Sequence, residues 1–263
     1  MDNINRNLSR EQEPIEEYIY REKLKVGIVG SSTSAGASFI TVCMARALAN
    51  TKKYNPVVVE INNSSIYDSI GMDKRFAGRK FYPFFNTLSK GEPIKGKINM
   101  DEGINWAVRS PEERSVSLDL YEKLMLINNT AGNIILCNFS VASNYKDKED
   151  IIRLLRDMDH ILVVIDPLPS KMLVSYDFFK KIKALKSEER FVTYLINKNN
   201  NGVIKREMLG FLKIKKPIYI PYINSEYIYK AEYNCKNPYS IAEVKNQLES
   251  SMREIFHRLN TEL

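Results

Sequence analysis

The chain has 263 residues, a formal charge of +7, 44% hydrophobic and 27% charged residues, enough for one large α/β domain. No run approaches the roughly 18 apolar residues of a membrane span, and Met1 to Arg21 is polar and acidic with no apolar leader core, so neither insertion nor export is indicated and a cytoplasmic protein is expected. Cys43, Cys137 and Cys235 are far apart, the first two inside apolar patterns, and His160 and His257 are the two histidines, so neither a disulfide framework nor a zinc or redox centre is expected.

In chain order, residues 1–22 carry Glu11, Glu13, Glu16 and Glu17 beside a proline and read as an acidic N-terminal arm. Residues 23–263 read as one domain. Its first unit runs from Lys25 to Thr41, KVGIVGSSTSAGASFIT. An apolar strand ends at Gly30, small residues follow, and Gly36 opens a helical pattern with Ile40, Cys43, Met44 and Leu48 on one face. Small residues let backbone N–H groups converge at a helix N-terminus, where phosphate binds, and such loops add a lysine for the β- and γ-phosphates. Here Ala37 stands in the lysine position. The bland alternative is that the loop's hydroxyls merely cap the first helix.

Further strands are predicted at Pro56 to Ile61, Asn133 to Cys137, His160 to Asp166, Phe191 to Ile196 and Pro217 to Ile220, most of them continuous apolar runs of the kind buried on both faces of a parallel sheet. Helical patterns lie at Gly36 to Ala49, Leu118 to Ile127, Asp147 to Met158, Ser170 to Lys186 and Gly202 to Leu212. A last helix is predicted from the Asn237-Pro238 signal to about Asn260, its stripe Ile241, Val244, Leu248, Met252, Ile255 and Leu259 packing on the sheet. The alternation predicts a doubly wound, mostly parallel α/β sheet with helices on both faces. Residues 62–130 are long for a connection and read as an insertion holding Trp106, Phe81, Tyr82, Phe84, Phe85 and the basic group Lys74, Arg75, Arg79 and Lys80, a surface for a partner. The lysines at 180, 181, 183 and 186 and at 213, 215 and 216 suit either a solvated helix face or nonspecific contact with nucleic acid or an anionic surface.

The order of these runs, over roughly residues 24–260, resembles the MinD/ParA family of P-loop proteins, in the deviant-Walker branch that includes the pilus-assembly and localisation proteins TadZ and CpaE. Where that family's loop reads like G-S-K-G-G-V-G-K-T, this chain has Gly30, Ser31, Ser32, Thr33, Ser34, Ala35, Gly36, Ala37 and Ser38. Ser32 replaces the signature lysine and Ala37 the Walker lysine, while Ser38 keeps a hydroxyl on the magnesium side. Asn62 stands for the acid that orients attacking water and Asn138 for the aspartate that organises magnesium. Asn197 matches the asparagine that reads adenine.

The resemblance implies binding residues at Gly30, Ser31, Ser32, Ser34, Gly36, Ala37, Ser38 and Asn197, with no catalytic residue and no metal ligand. The cofactor it implies is ATP or ADP, with magnesium only alongside bound nucleotide, or none. Phosphoryl transfer depends on positioning and on electrostatic stabilisation by lysine and magnesium, so robust hydrolysis is not expected. The expected function is a non-hydrolysing scaffold or localisation protein, a homodimer with a protein partner, in pilus or envelope-machine assembly. Two alternatives stand beside it: a nucleotide binder with weak or no ATPase activity, helped by a lysine such as Lys198 reaching in from elsewhere, and a ParA-like nonspecific DNA binder. A dinucleotide-binding reading fails on spacing, because a G-x-G-x-x-G would need glycine at Val29 and Ser32.

Overall fold

The computed structural model describes residues 23–62, 65–141, 145–188 and 191–261; the acidic arm expected at 1–22 lies outside them. In chain order the elements are β1 (Leu24–Gly30), α1 (Ala37–Asn50), β2 (Pro56–Glu60), α2 (Ile66–Ser69), α3 (Met72–Arg75), α4 (Phe84–Ser89), β3 (Met100–Asp101), β4 (Ile104–Ala107), α5 (Leu120–Asn129), β5 (Ile134–Phe139), α6 (Tyr145–Leu155), β6 (His160–Ile165), α7 (Pro169–Ala184), β7 (Phe191–Asn199), α8 (Lys205–Leu212), β8 (Ile218–Pro221), α9 (Ser225–Tyr233) and α10 (Ala242–Arg258). The strands form one sheet in the order β3-β4-β2-β5-β1-β6-β7-β8, parallel throughout except for the β3–β4 pair. β1 is flanked by β5 and β6, with Val26 opposite both Leu136 and His160. The doubly wound sheet expected from the apolar runs is therefore present.

Alternation along the strands divides the core between two faces. Val26, Ile28, Val58, Leu136, Leu162 and Val164 meet α1 and α10, while Val29, Val57, Ile135, Cys137, Ile161 and Val163 meet α5 to α8. The C-terminal stripe expected from the sequence is buried on the first face, where Val244, Leu248, Met252 and Ile255 have no exposed surface. Its starting signal works differently. Asn237 accepts from Tyr239 N and Pro238 occupies the first position of a short 3₁₀ turn, Pro238–Ser240, after which α10 begins at Ala242.

Residues 62–130 depart most from expectation. Strands β3 and β4 extend the sheet beyond β2, and Trp106, on β4, pairs with Val58 and is fully buried on the α1 face. Phe84 and Phe85 are fully buried on the other face. These aromatics hold the sheet edge and offer no surface to a partner. Two of the four basic residues are engaged as well: Arg75 pairs with Asp101 at 2.6 Å, and Arg79 with the same carboxylate at 3.0 Å.

A buried charge cluster joins this region to β2. Glu60, at the end of β2, accepts from Arg109 N at 2.8 Å, and Glu113 accepts from Phe85 N and Asn86 N at 2.8 and 2.9 Å, holding the N-terminus of α4. The Arg109 guanidinium lies 4.1 Å from the Phe85 ring and donates to the Glu113 and Val116 carbonyls. Burial pulls the guanidinium below its ordinary value, and the charges of Glu60 and Glu113 push it back. Removing one partner strands the others in a low dielectric. Arg109→Ala is expected to cost about 3–5 kcal/mol, read by urea unfolding; a loss below about 1 kcal/mol would show the cluster to be solvated.

His160 opens β6 stacked on Phe191, with ring centroids 5.0 Å apart. Burial holds its imidazole below the ordinary value, and Asp159 opposes that shift only in part. The folded chain therefore keeps His160 neutral while the unfolded chain takes up a proton near pH 6.5. This contribution to stability is complete above about pH 6.5 and is lost as pH falls below it. His160→Gln should flatten the fall in urea midpoint between about pH 6.5 and 5; an unchanged slope would assign the fall to other groups.

Candidate phosphate-binding loop

β1 lies centrally in the sheet, and the loop at its carboxyl end sits where doubly wound sheets bind ligands. The loop is tied down from two strands, β6 and β7. Ser31 N donates to Val164 O on β6 at 2.8 Å. Asn197 Nδ2, on β7, donates to Ala35 O at 2.8 Å, and the next residue, Lys198, places Nζ 2.9 Å from Ser34 O and 2.7 Å from Asp166 Oδ2. Gly36 turns the chain into α1 with φ +101°, where an added Cβ would stand 2.2 Å from Asn197 Nδ2. Only glycine meets both demands.

None of the loop's hydroxyls caps α1. Its N-cap residue is Gly36, with no side-chain capping bond, while Thr33 and Ser34 are exposed on the turn. Ser31 and Ser32 are buried instead, and Ser32 Oγ has no hydrogen-bond partner among the described residues. A hollow of about 270 Å³ opens over the loop, lined by Gly30, by 32–38 and by Phe139, Ser140 and Val141 after β5. It therefore gathers six of the eight expected site residues: Gly30, Ser32, Ser34, Gly36, Ala37 and Ser38. Ser31 is turned into the sheet. Asn197 lies beneath the loop as a strut, its amide N–H engaged by Ala35 O.

The strand ends around the hollow are neutral or already paired. Asn138 sets its amide 3.1 Å from Ser38 Oγ and 3.3 Å from Thr41 Oγ1, and Thr41 in turn donates to Ala37 O at 2.9 Å. Asn62 Oδ1 is buried without a partner among the described residues. Glu60, which a dinucleotide site would turn toward a ribose, is fully buried against Arg109. Lys198 is the cation the sequence suggested could reach the loop, and its partner Asp166 was not foreseen.

An anionic group fits this hollow. The N-terminus of the 14-residue α1 faces it, and the orphaned Ser32 hydroxyl can donate to a phosphate oxygen. Magnesium does not fit. The hydroxyl that would ligate it is held by Asn138, and among the described residues no three His, Cys, Asp or Glu side chains converge to hold a metal ion. A larger cavity of about 630 Å³ lies beyond the Lys198–Asp166 pair, over Met172, Met208 and Phe211, but it is a mainly apolar cleft between α7 and α8 without the loop's N–H groups.

No protein-family model and no curated protein matches the chain by sequence. Its structure matches a ParA family ATPase from Chlorobium tepidum, with TM-score 0.65 and 15% identity over 88% of this chain and 96% of that one. This is the MinD/ParA fold. A putative plasmid partition protein from Borrelia burgdorferi bound to AMPPNP is similar, with TM-score 0.67 and 13% identity over 90% of this chain and 99% of its own. So is the MinD of the MinC:MinD cell division complex from Aquifex aeolicus, with TM-score 0.64 and 14% identity over 88% and 95%. Within this MinD/ParA fold, three of the seven clustered lysines are engaged: Lys181 pairs with Glu149, Lys180 with Asp177, and Lys183 donates to the Leu212 and Lys213 carbonyls.

The glycine at the turn gives a direct check on the loop geometry. Gly36→Ala is expected to cost about 1–2 kcal/mol from the left-handed backbone alone, with a further loss as Asn197 is displaced, measured by urea unfolding. Wild-type stability in that variant would contradict the turn described here.

Proposed function

We propose that this chain is a non-hydrolysing MinD/ParA-like scaffold or localisation protein that holds the phosphates of ATP or ADP on the loop from Gly30 to Ser38. The observation that carries the reading is the pairing of a hollow over this loop with neutral side chains at four charged positions of the family pattern: Ser32, Ala37, Asn62 and Asn138. The cradle has features that bind an anion, namely a helix N-terminus and an unpartnered hydroxyl among the described residues. It lacks what stabilises phosphoryl transfer, fixed cations and a carboxylate to organise metal and water. The AMPPNP bound by the Borrelia neighbour supports nucleotide as the ligand, and the MinC:MinD complex supports a protein partner. By resemblance to TadZ and CpaE, the process we assign is pilus or envelope-machine assembly, with a homodimer that does not depend on ATP.

Phosphate release from ATP and magnesium is the test of inactivity. No release above the protein-free rate is expected, and sustained turnover that copurifies with the chain would overturn the reading. Ala37→Lys restores one charge-assisted hydrogen bond, worth roughly 1.5–3 kcal/mol. It is expected to tighten ATP about 10- to 150-fold by calorimetric titration. An unchanged affinity in the folded variant would place the phosphates away from the start of α1.

A further inference from the structure

We propose that the loop takes its phosphate-bearing ligand without a divalent cation. The inference rests on the reading of the loop as a phosphate site and concerns what accompanies the phosphate there. Magnesium demands near-octahedral oxygen ligands at short range and is usually held by one or two carboxylates together with the phosphate. The polar side chains beside this hollow close on one another instead. Asn138 is fully buried, and its amide spans Ser38 Oγ at 3.1 Å and Thr41 Oγ1 at 3.3 Å. The Thr41 hydroxyl is in turn tied to Ala37 O at 2.9 Å. Opening this set to admit a cation would break a buried hydrogen-bonded network and gain no negative ligand.

The two carboxylates at neighbouring strand ends are already engaged. Glu60, at the end of β2, is buried and accepts from the backbone N–H of Arg109, and Asp166, just past β6, holds Lys198 at 2.7 Å. Positive potential at the cradle comes from other sources. The start of α1 faces the hollow, and Ser32 Oγ is buried and unpartnered among the described residues. This chemistry recognises a phosphate anion directly. Chelation by magnesium would neutralise part of the ligand's charge and present a cation with no ligand waiting for it.

The test is calorimetric titration of the full chain with ATP, ADP and sodium phosphate, each in magnesium and in EDTA. The expected result is binding in EDTA that is equal to or tighter than binding in magnesium, within about twofold where equal. The phosphate arm separates a nucleotide site from a site for the free anion. Binding seen only with magnesium would overturn this inference and leave the phosphate site standing, whereas silence in all arms would overturn both. Asn138→Asp places a carboxylate beside Ser38 and is expected to make nucleotide binding about tenfold or more tighter in magnesium than in EDTA. Continued indifference to magnesium in that variant would refute the role given to the amide. As a milder companion, Ser38→Ala is expected to keep the affinity within about twofold in both media, and a loss confined to magnesium would show that the hydroxyl ligates metal.

Discussion

The loop between β1 and α1 is held by its neighbours rather than by any side chain of its own. Three contacts fix it: Ser31 N to Val164 O, Asn197 Nδ2 to Ala35 O, and Lys198 Nζ to Ser34 O. They come from β6 and β7, the strands beside β1 on one side, so the shape of the hollow depends on the register of the central sheet. A loop fixed in this way keeps its N–H groups preorganised at no cost when a ligand arrives.

Neutral side chains predominate around the site. Ser32, Ala37, Asn62 and Asn138 stand where the resemblance calls for lysine or carboxylate, and Asn138 is hydrogen-bonded with Ser38 and Thr41. Of the charges nearby, Lys198 pairs with Asp166, and Glu60 accepts from the backbone N–H of Arg109. A site so balanced can recognise an anion through dipoles, but it has little with which to follow charge as it develops in a transition state.

Much of the fold was legible because its six main strands are continuous apolar runs and its longer helices bury a periodic stripe. The pieces that were not legible lack those signals. β3 and β4 have two and four residues, too short for a period to emerge, and among the residues of α9 Ala231 alone is buried. Trp106 was misread because an aromatic in a long connection suggests a surface, whereas pairing of β4 with β2 seats it under α1. At the site, loop spacing was readable, but the strut from Asn197 to Ala35 spans 162 positions and the neutral network around Asn138 spans about a hundred. Contacts of that separation exist only once the sheet order is known.

The central claim is that a phosphate ligand is held by the backbone N–H groups of the loop. Hydrogen-exchange mass spectrometry with and without ATP reads those groups directly. The account predicts slowed exchange in the peptides covering Ser31 to Ser38, with the edge formed by β3 and β4 unchanged. Bound ATP that leaves the loop amides exchanging at their free rate, or that protects the cleft between α7 and α8 instead, would contradict it.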